Sequence, residues 1–213
     1  MDHVRAAVSR PSRRVWRLVL IGSLAAASAC HSAPLTPPEL PFHAATVTRH
    51  FDGSIQKGLL ATTTTIAGVP CKGWVRLQAS GRLSSCELAA NATIQGHTLP
   101  AASYVWFDDD GNLQTCFLAC DAQLGGQVCR GGPFKIATSF HPNGNLRAFF
   151  PRDEIALGGV VCASSTQAPV YLHPDGQLAG CRLAADAVVD GQQLRSGDTI
   201  ELDVGGHLLK PGR

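Results

Sequence analysis

The residues best able to do chemistry in this 213-residue chain are eight cysteines, and most of them recur at fixed spacing. Cys86, Cys116 and Cys181 each lie five residues after a glycine, respectively Gly81, Gly111 and Gly176. Cys71, Cys129 and Cys162 each lie eighteen residues after one, respectively Gly53, Gly111 and Gly144. Thiols set out like this can attack a substrate, hold a metal, pair as disulfides or fill an apolar slot. A nucleophilic thiol needs a lowered pKa and an electropositive neighbourhood. A structural zinc site needs four Cys or His ligands, and Cys116, Cys120 and Cys129 supply three with no His following at finger-like spacing. The two columns also hold Phe149, Leu99 and Leu194, single replacements of the kind a buried apolar position accepts. If the eighteen-position of one unit faces the five-position of the next, Cys71 meets Cys86 and Cys162 meets Cys181. Cys116 then faces Leu99 and Cys129 faces Phe149, so these two thiols could join each other and leave Cys120 free. Disulfides and buried thiols both stay open.

Other chemistry-bearing residues give little. His141 and His173 share the first position of a Pro-Asn/Asp-Gly turn, which gives both a turn role, and no pair of His has the spacing of a helical metal motif. Asp108, Asp109 and Asp110 run consecutively before Gly111, whereas calcium loops alternate their ligands. Neither a G-x-S-x-G elbow nor a G-x-x-x-x-G-K loop is present. The sequence therefore points to no catalytic residue, no cofactor and no metal.

The elements that must position these residues are read from a repeat. Aligned on Gly53, Gly81, Gly111, Gly144 and Gly176, the fifteenth residue on is always glycine: Gly68, Gly96, Gly126, Gly159 and Gly191. Before each of the later anchors stands an alternating pair, Val75 and Leu77, Val105 and Phe107, Thr138 and Phe140, Val170 and Leu172, as half-buried strands require. The anchor glycine closes a hairpin, a second strand follows, and a polar step with Asn91, Asp121, Glu154 or Asp186 leads to a short strand that ends at the second glycine. A unit of about 30 residues cannot bury a core alone, so the units must stack. The expectation is an all-β, elongated repeat of about five stacked β-hairpins, either a twisted sheet or a β-solenoid, over residues 51–213. Trp106 and Tyr171 fall between the apolar positions of their strands and are expected to face outward as a candidate ligand surface.

The first thirty residues have another logic. Arg5, Arg10, Arg13, Arg14 and Arg17 precede an apolar run at 18–27, and Ala27-Ser28-Ala29 leads directly to Cys30. This segment resembles a bacterial lipoprotein signal with its lipobox, which implies cleavage after residue 29 and acyl chains on Cys30. Residues 30–50, with Pro34, Pro37, Pro38 and Pro41, are expected to form a tether. Five of the 18 Lys+Arg and one of the 16 Asp+Glu lie in residues 1–30, so the rest carries 13 basic against 15 acidic residues. No basic patch for nucleic acid survives.

The units themselves resemble bacterial β-hairpin repeats of the MORN type, and lipoprotein repeats of the form aromatic-x-x-x-G-x-L-x-x-C-x-L-A. Residues 83–89, 113–119 and 178–184 carry that form. The resemblance implies a lipid-anchored protein of the cell envelope, at the outer membrane in a Gram-negative cell. Its partners would be the bilayer, through Cys30, and a cell-wall glycan or an envelope protein. The expected function is a non-enzymatic binding or scaffolding surface. A carbohydrate- or peptidoglycan-binding module using Trp106 and Tyr171 is the alternative, and a thiol-dependent enzyme a remote one.

Overall fold

A computed structural model describes residues 40–133 and 136–211. These residues form an all-β structure, with a single turn of 3-10 helix at Ala44–Thr46 and no helix long and apolar enough to cross a membrane. Twelve strands follow one another in chain order across a continuous antiparallel sheet, and a thirteenth, Thr64–Ile66, pairs with Val69–Leu77. The path begins at Thr48–Arg49 and ends at Leu208–Pro211, which do not pair with each other, so the sheet is open.

Each repeat contributes two kinds of hairpin. The larger, such as Tyr104–Phe107 with Leu113–Phe117, belongs to the long sheet. Its turn closes at the anchor glycine, whose φ is +88° at Gly111 and whose N–H donates to the Asp108 carbonyl 3.0 Å away. The ladder register shifts just before this turn, between Trp106 and Phe107, which is the bulged three-residue hairpin that a left-handed glycine permits.

The smaller hairpin departs from the sequence expectation of one short strand ending at the second glycine. That glycine lies inside a two-residue loop joining two strands of three residues, as in Ala92–Ile94 with His97–Leu99. Both loop residues have positive φ, +48° at Gln95 and +82° at Gly96. This is the twisted turn that favours a tight antiparallel hairpin. Strands this short are too brief for alternation to reveal.

Four small hairpins stand as two-stranded sheets, and the first, Thr64–Ile66 with Val69–Leu77, merges into the long sheet. Each lies over one face of the sheet, above the next unit's large hairpin. Gln95 accepts a hydrogen bond from Leu113 N–H at 2.8 Å, and Asp190 accepts one from Leu208 N–H at 2.7 Å. At Gly158, a Cβ would come within 3.3 Å of Leu178, so a bare backbone suits this approach.

The covered face carries a row of buried side chains. Cys86 pairs with Val105, Val105 with Cys116, Cys116 with Thr138, Phe149 with Val170 and Cys181 with Ile200. All are at most 2% exposed. They join the inward residues of the small hairpins, Ile94, Leu99, Leu124, Cys129, Val160, Cys162 and Leu194 among them, in one core cluster. The core begins before residue 51, inside the segment expected as tether. Leu40 is buried in it, and Phe42 lies so close over Gly58 that any Cβ there would collide with its ring.

Recurrent polar side chains hold the units in register. Asn91, Asp121 and Asp186 each accept a hydrogen bond from the backbone N–H ten residues on, at Ala101, Gly131 and Ser196. These carboxylates and amide cap the bend that leads out of the small hairpin. His50, His141 and His173 reach through Nε2 to the carbonyls of Leu77, Leu172 and Leu202, each at the end of the next unit's first strand. The turn histidines are therefore clasps between neighbouring turns.

Candidate functional site

The cysteine columns do meet across layers. Cys162 and Cys181 stand at disulfide-bonding distance, with 2.20 Å between sulfurs and 5.8 Å between Cα atoms. Cys71 and Cys86, the matching pair three large hairpins earlier in the row, have their Sγ atoms 2.6 Å apart in a buried site. The backbone explains the equivalence: Cys71 is paired with Leu88 and Cys162 with Leu183, the same register in both units. Cys129 follows this register opposite Pro151, but the column facing it holds Phe149. Cys116 and Cys129 do not join each other: both are buried free thiols, as are Cys71 and Cys86, and Cys120 is an exposed one. Cys30 lies outside the described residues.

This setting is unfavourable to thiol chemistry. Burial pushes the Cys116 thiol well above its ordinary range, and burial raises Cys129 to about 12. The close Cys71 thiol, with burial behind it, raises Cys86 strongly. A thiol that resists ionisation and lies out of solvent is a poor nucleophile and a poor metal ligand. Among the described residues, no three His, Cys, Asp or Glu side chains stand close enough together to hold a metal ion.

The carboxylates with lowered pKa are likewise bound to backbone. The Gly131 N–H bond to Asp121 outweighs that group's partial burial, and Arg152, in ion contact with it, lowers it further. The Leu208 N–H and His207 hold Asp190 below its ordinary range. Folded-state pKa values below the unfolded ones contribute stability above the unfolded value, near pH 4, and that stability is lost as pH falls through the lowered values. Turn and bend capping is thus an acid-sensitive part of the fold and not an acid–base pair.

Among the described residues, no hairpin covers the opposite face of the long sheet. Its central row is continuous: Lys57 pairs with Arg76, Arg76 with Ser85, Ser85 with Trp106 and Trp106 with Thr115. From there Thr115 pairs with Ser139, Ser139 with Ala148, Ala148 with Tyr171, Tyr171 with Gly180 and Gly180 with Glu201. Trp106 and Tyr171 therefore share one row of the open face, four strands apart, which is about 19 Å at ordinary strand spacing. They do not form one site. Between them the row is small, with Thr115, Ser139 and Ala148.

Trp106 is the centre of an aromatic group. Its ring lies 4.5 Å from that of Tyr104 and 5.0 Å from that of Phe117, the latter edge-on at 86°. Edge-to-face and tilted pairs of this kind are favoured by the ring quadrupoles. The group forms the floor of an open cleft of 910 Å³ whose walls include Arg76, Glu87 and Ala102. Lys72 pairs with Glu87 at 3.0 Å, and Lys57 stands 4.1 Å over the Trp74 ring. Tyr171 borders a second, smaller concavity of 460 Å³ with Pro169, Arg182 and Glu201.

No protein-family model, curated protein or solved structure matches the chain.

The functional reading rests on the side chains alone. Sequence reasoning singled out Trp106 and missed Phe117, Arg76 and Glu87 as its neighbours. The signal was available in part. Phe117 lies six residues beyond Gly111, and Arg76 shares with Trp106 the column between the alternating apolar positions. Only the strand register shows that these columns come together across two adjacent hairpins.

Proposed function

We propose that the protein is a non-enzymatic lipoprotein of the cell envelope, anchored through acyl chains on Cys30, whose open sheet face binds or scaffolds another envelope component. The observation that carries this reading is the asymmetry of the sheet. One face is sealed by small hairpins over a buried row, while the other presents half-buried and exposed aromatics across its length, including Trp74 and Tyr171 at 41% and 49% exposure. Sheets with one solvated face usually set polar residues there, and rigid aromatics on such a face are typical of recognition surfaces. A thiol-dependent enzyme is disfavoured by the burial and raised pKa of Cys116 and Cys129.

The anchor fits the charge balance, since the basic residues in excess belong to the leader. In a Gram-negative cell the outer membrane is the favoured site. Replacing Cys30→Ser is expected to move the exported protein from the membrane fraction to the soluble one and to remove the mass of the acyl chains. A Cys30→Ser protein that stays with membranes and keeps an unchanged mass would overturn the anchor. The second reading, a carbohydrate-binding module, is favoured specifically by the cleft at Trp106.

A further inference from the structure

We propose that the Trp106 cleft is a saccharide site, and that its ligand carries a carboxylate received by Arg76. The inference rests on the reading of the open face as a binding surface and names the ligand class for it. Its first support is the position of the cleft within the sheet. The strands beneath it, Val69–Leu77, Leu83–Leu88, Tyr104–Phe107 and Leu113–Phe117, are all paired on both sides. An extended peptide binds a sheet by main-chain hydrogen bonds at an edge, and no edge is offered here. A ligand in this cleft finds no free strand edge and meets chiefly side chains.

Those side chains suit a sugar. A pyranose presents an apolar face of C–H groups and a rim of hydroxyls. Tyr104, Trp106 and Phe117 supply apolar ring surface on the floor. Arg76 and Glu87 supply planar groups in the walls, a fork of donors and a pair of acceptors respectively. A volume of 910 Å³ falls in the range of small-molecule sites, about 300–1,000 Å³, and leaves room for several sugar rings.

Charge selects among sugars. Lys57, Lys72 and Arg76 lie on this part of the face against the single carboxylate of Glu87. Glu87 is already paired with Lys72, and Lys57 is engaged with Trp74. Among the described residues no carboxylate forms an ion pair with Arg76, which is exposed and lines the cleft. A guanidinium beside an aromatic floor is arranged to receive a carboxylate by two parallel hydrogen bonds.

The test uses two tetrasaccharides with the same β-linked backbone. Chitotetraose is neutral, and the alternating N-acetylglucosamine–N-acetylmuramic acid tetrasaccharide carries lactyl carboxylates. Calorimetric titration of the exported protein is expected to show preferential binding of the acidic one. Arg76→Gln should weaken that binding about tenfold or more and weaken the neutral binding much less. Trp106→Ala should abolish both, Trp106→Phe should retain part of each, and Val188→Ser, on a small hairpin away from the cleft, should change neither. Unfolding midpoints of the variants separate lost binding from lost fold. Equal binding of the two sugars, no binding of the acidic one, or an Arg76→Gln protein that binds it as before would overturn the proposal. If an acidic proline-containing peptide binds at Trp106 instead, the saccharide class falls while the binding face stands.

Discussion

Replacing Cys162 and Cys181 together with alanine is expected to lower the stability of the oxidised protein by about 3 kcal/mol. The cross-link closes a segment with a sequence separation of 19. In the chain-entropy account, a loop of about 15 residues contributes about 3 kcal/mol by restricting the unfolded chain. The two sulfurs also fill a core site, each side chain being at most 2% exposed, so their loss adds a cavity cost. Because each repeat packs mainly on its neighbours, the effect should be local before it is global. Amides of Val160–Cys162 and Leu178–Arg182 should lose exchange protection well before those of Leu83–Leu88. Urea unfolding with and without reductant provides the check. Reductant should shift the midpoint of the parent protein markedly and that of the double variant little, since Cys71 and Cys86 are free thiols. An unchanged midpoint in the double variant would show that the column is an apolar slot and nothing more.

The second large effect has the opposite sign. Thr138→Val is expected to stabilise the protein by about 1–2 kcal/mol. Thr138 occupies the inward column held elsewhere by Val75, Val105, Val170 and Ile200, and like them it is fully buried. Among the described residues its hydroxyl has no hydrogen-bond partner. A buried unpartnered hydroxyl costs about 1–3 kcal/mol in lost hydration, and valine replaces it with a methyl group of similar size. Thermal or urea midpoints measure the gain. A Thr138→Val protein less stable than its parent would mean that the hydroxyl has a partner in solution, such as a nearby thiol or a trapped water.

The glycines made the repeat legible, because a left-handed residue at each turn restricts the choice of side chain more than any strand position does. Gly111 and its equivalents marked the hairpins of the long sheet, and the alternation around Val105 and Phe107 gave their inward face. The facing of Cys71 with Cys86 and of Cys162 with Cys181 could also be reasoned out, since it follows from a constant register. The small hairpins were legible only in part, through loop pairs such as Gly125-Gly126, Gly158-Gly159 and Asp190-Gly191. In Ala92–Ile94 and His97–Leu99 the strands are too short for a period of two to emerge, and Gln95-Gly96 is an unusual pair for the loop. The cleft was legible only in part. Phe117 and Trp106 are eleven residues apart in sequence and become neighbours through the bulge at Phe107, which shifts the register. Leu40 and Phe42 were hidden by the prolines around them, whose composition resembles a tether even where the chain is packed.

The acid-sensitive caps and the histidine clasps follow the same principle as the cysteines. Residues that recur once per unit, and that look like candidates for catalysis in sequence, serve stacking. The unrepeated residues are the ones left over for function. The Glu87 carboxylate is such a residue, since the other units hold Leu59, Phe117, Phe150 and Arg182 at its position, and it meets Tyr104 and Phe117 at one place on the open face.

The most direct measurement of that account is site-specific photo-cross-linking in the native envelope. A photoreactive residue placed at Thr115 or Ala148 on the open face should capture an envelope component, whether polysaccharide or protein. The same residue at Val128 or Val188, exposed on the small hairpins, should capture little. Adducts from the open face alone are the predicted result. Adducts chiefly from Val128 and Val188, with none from Thr115 or Ala148, would contradict it and assign function to the hairpin side.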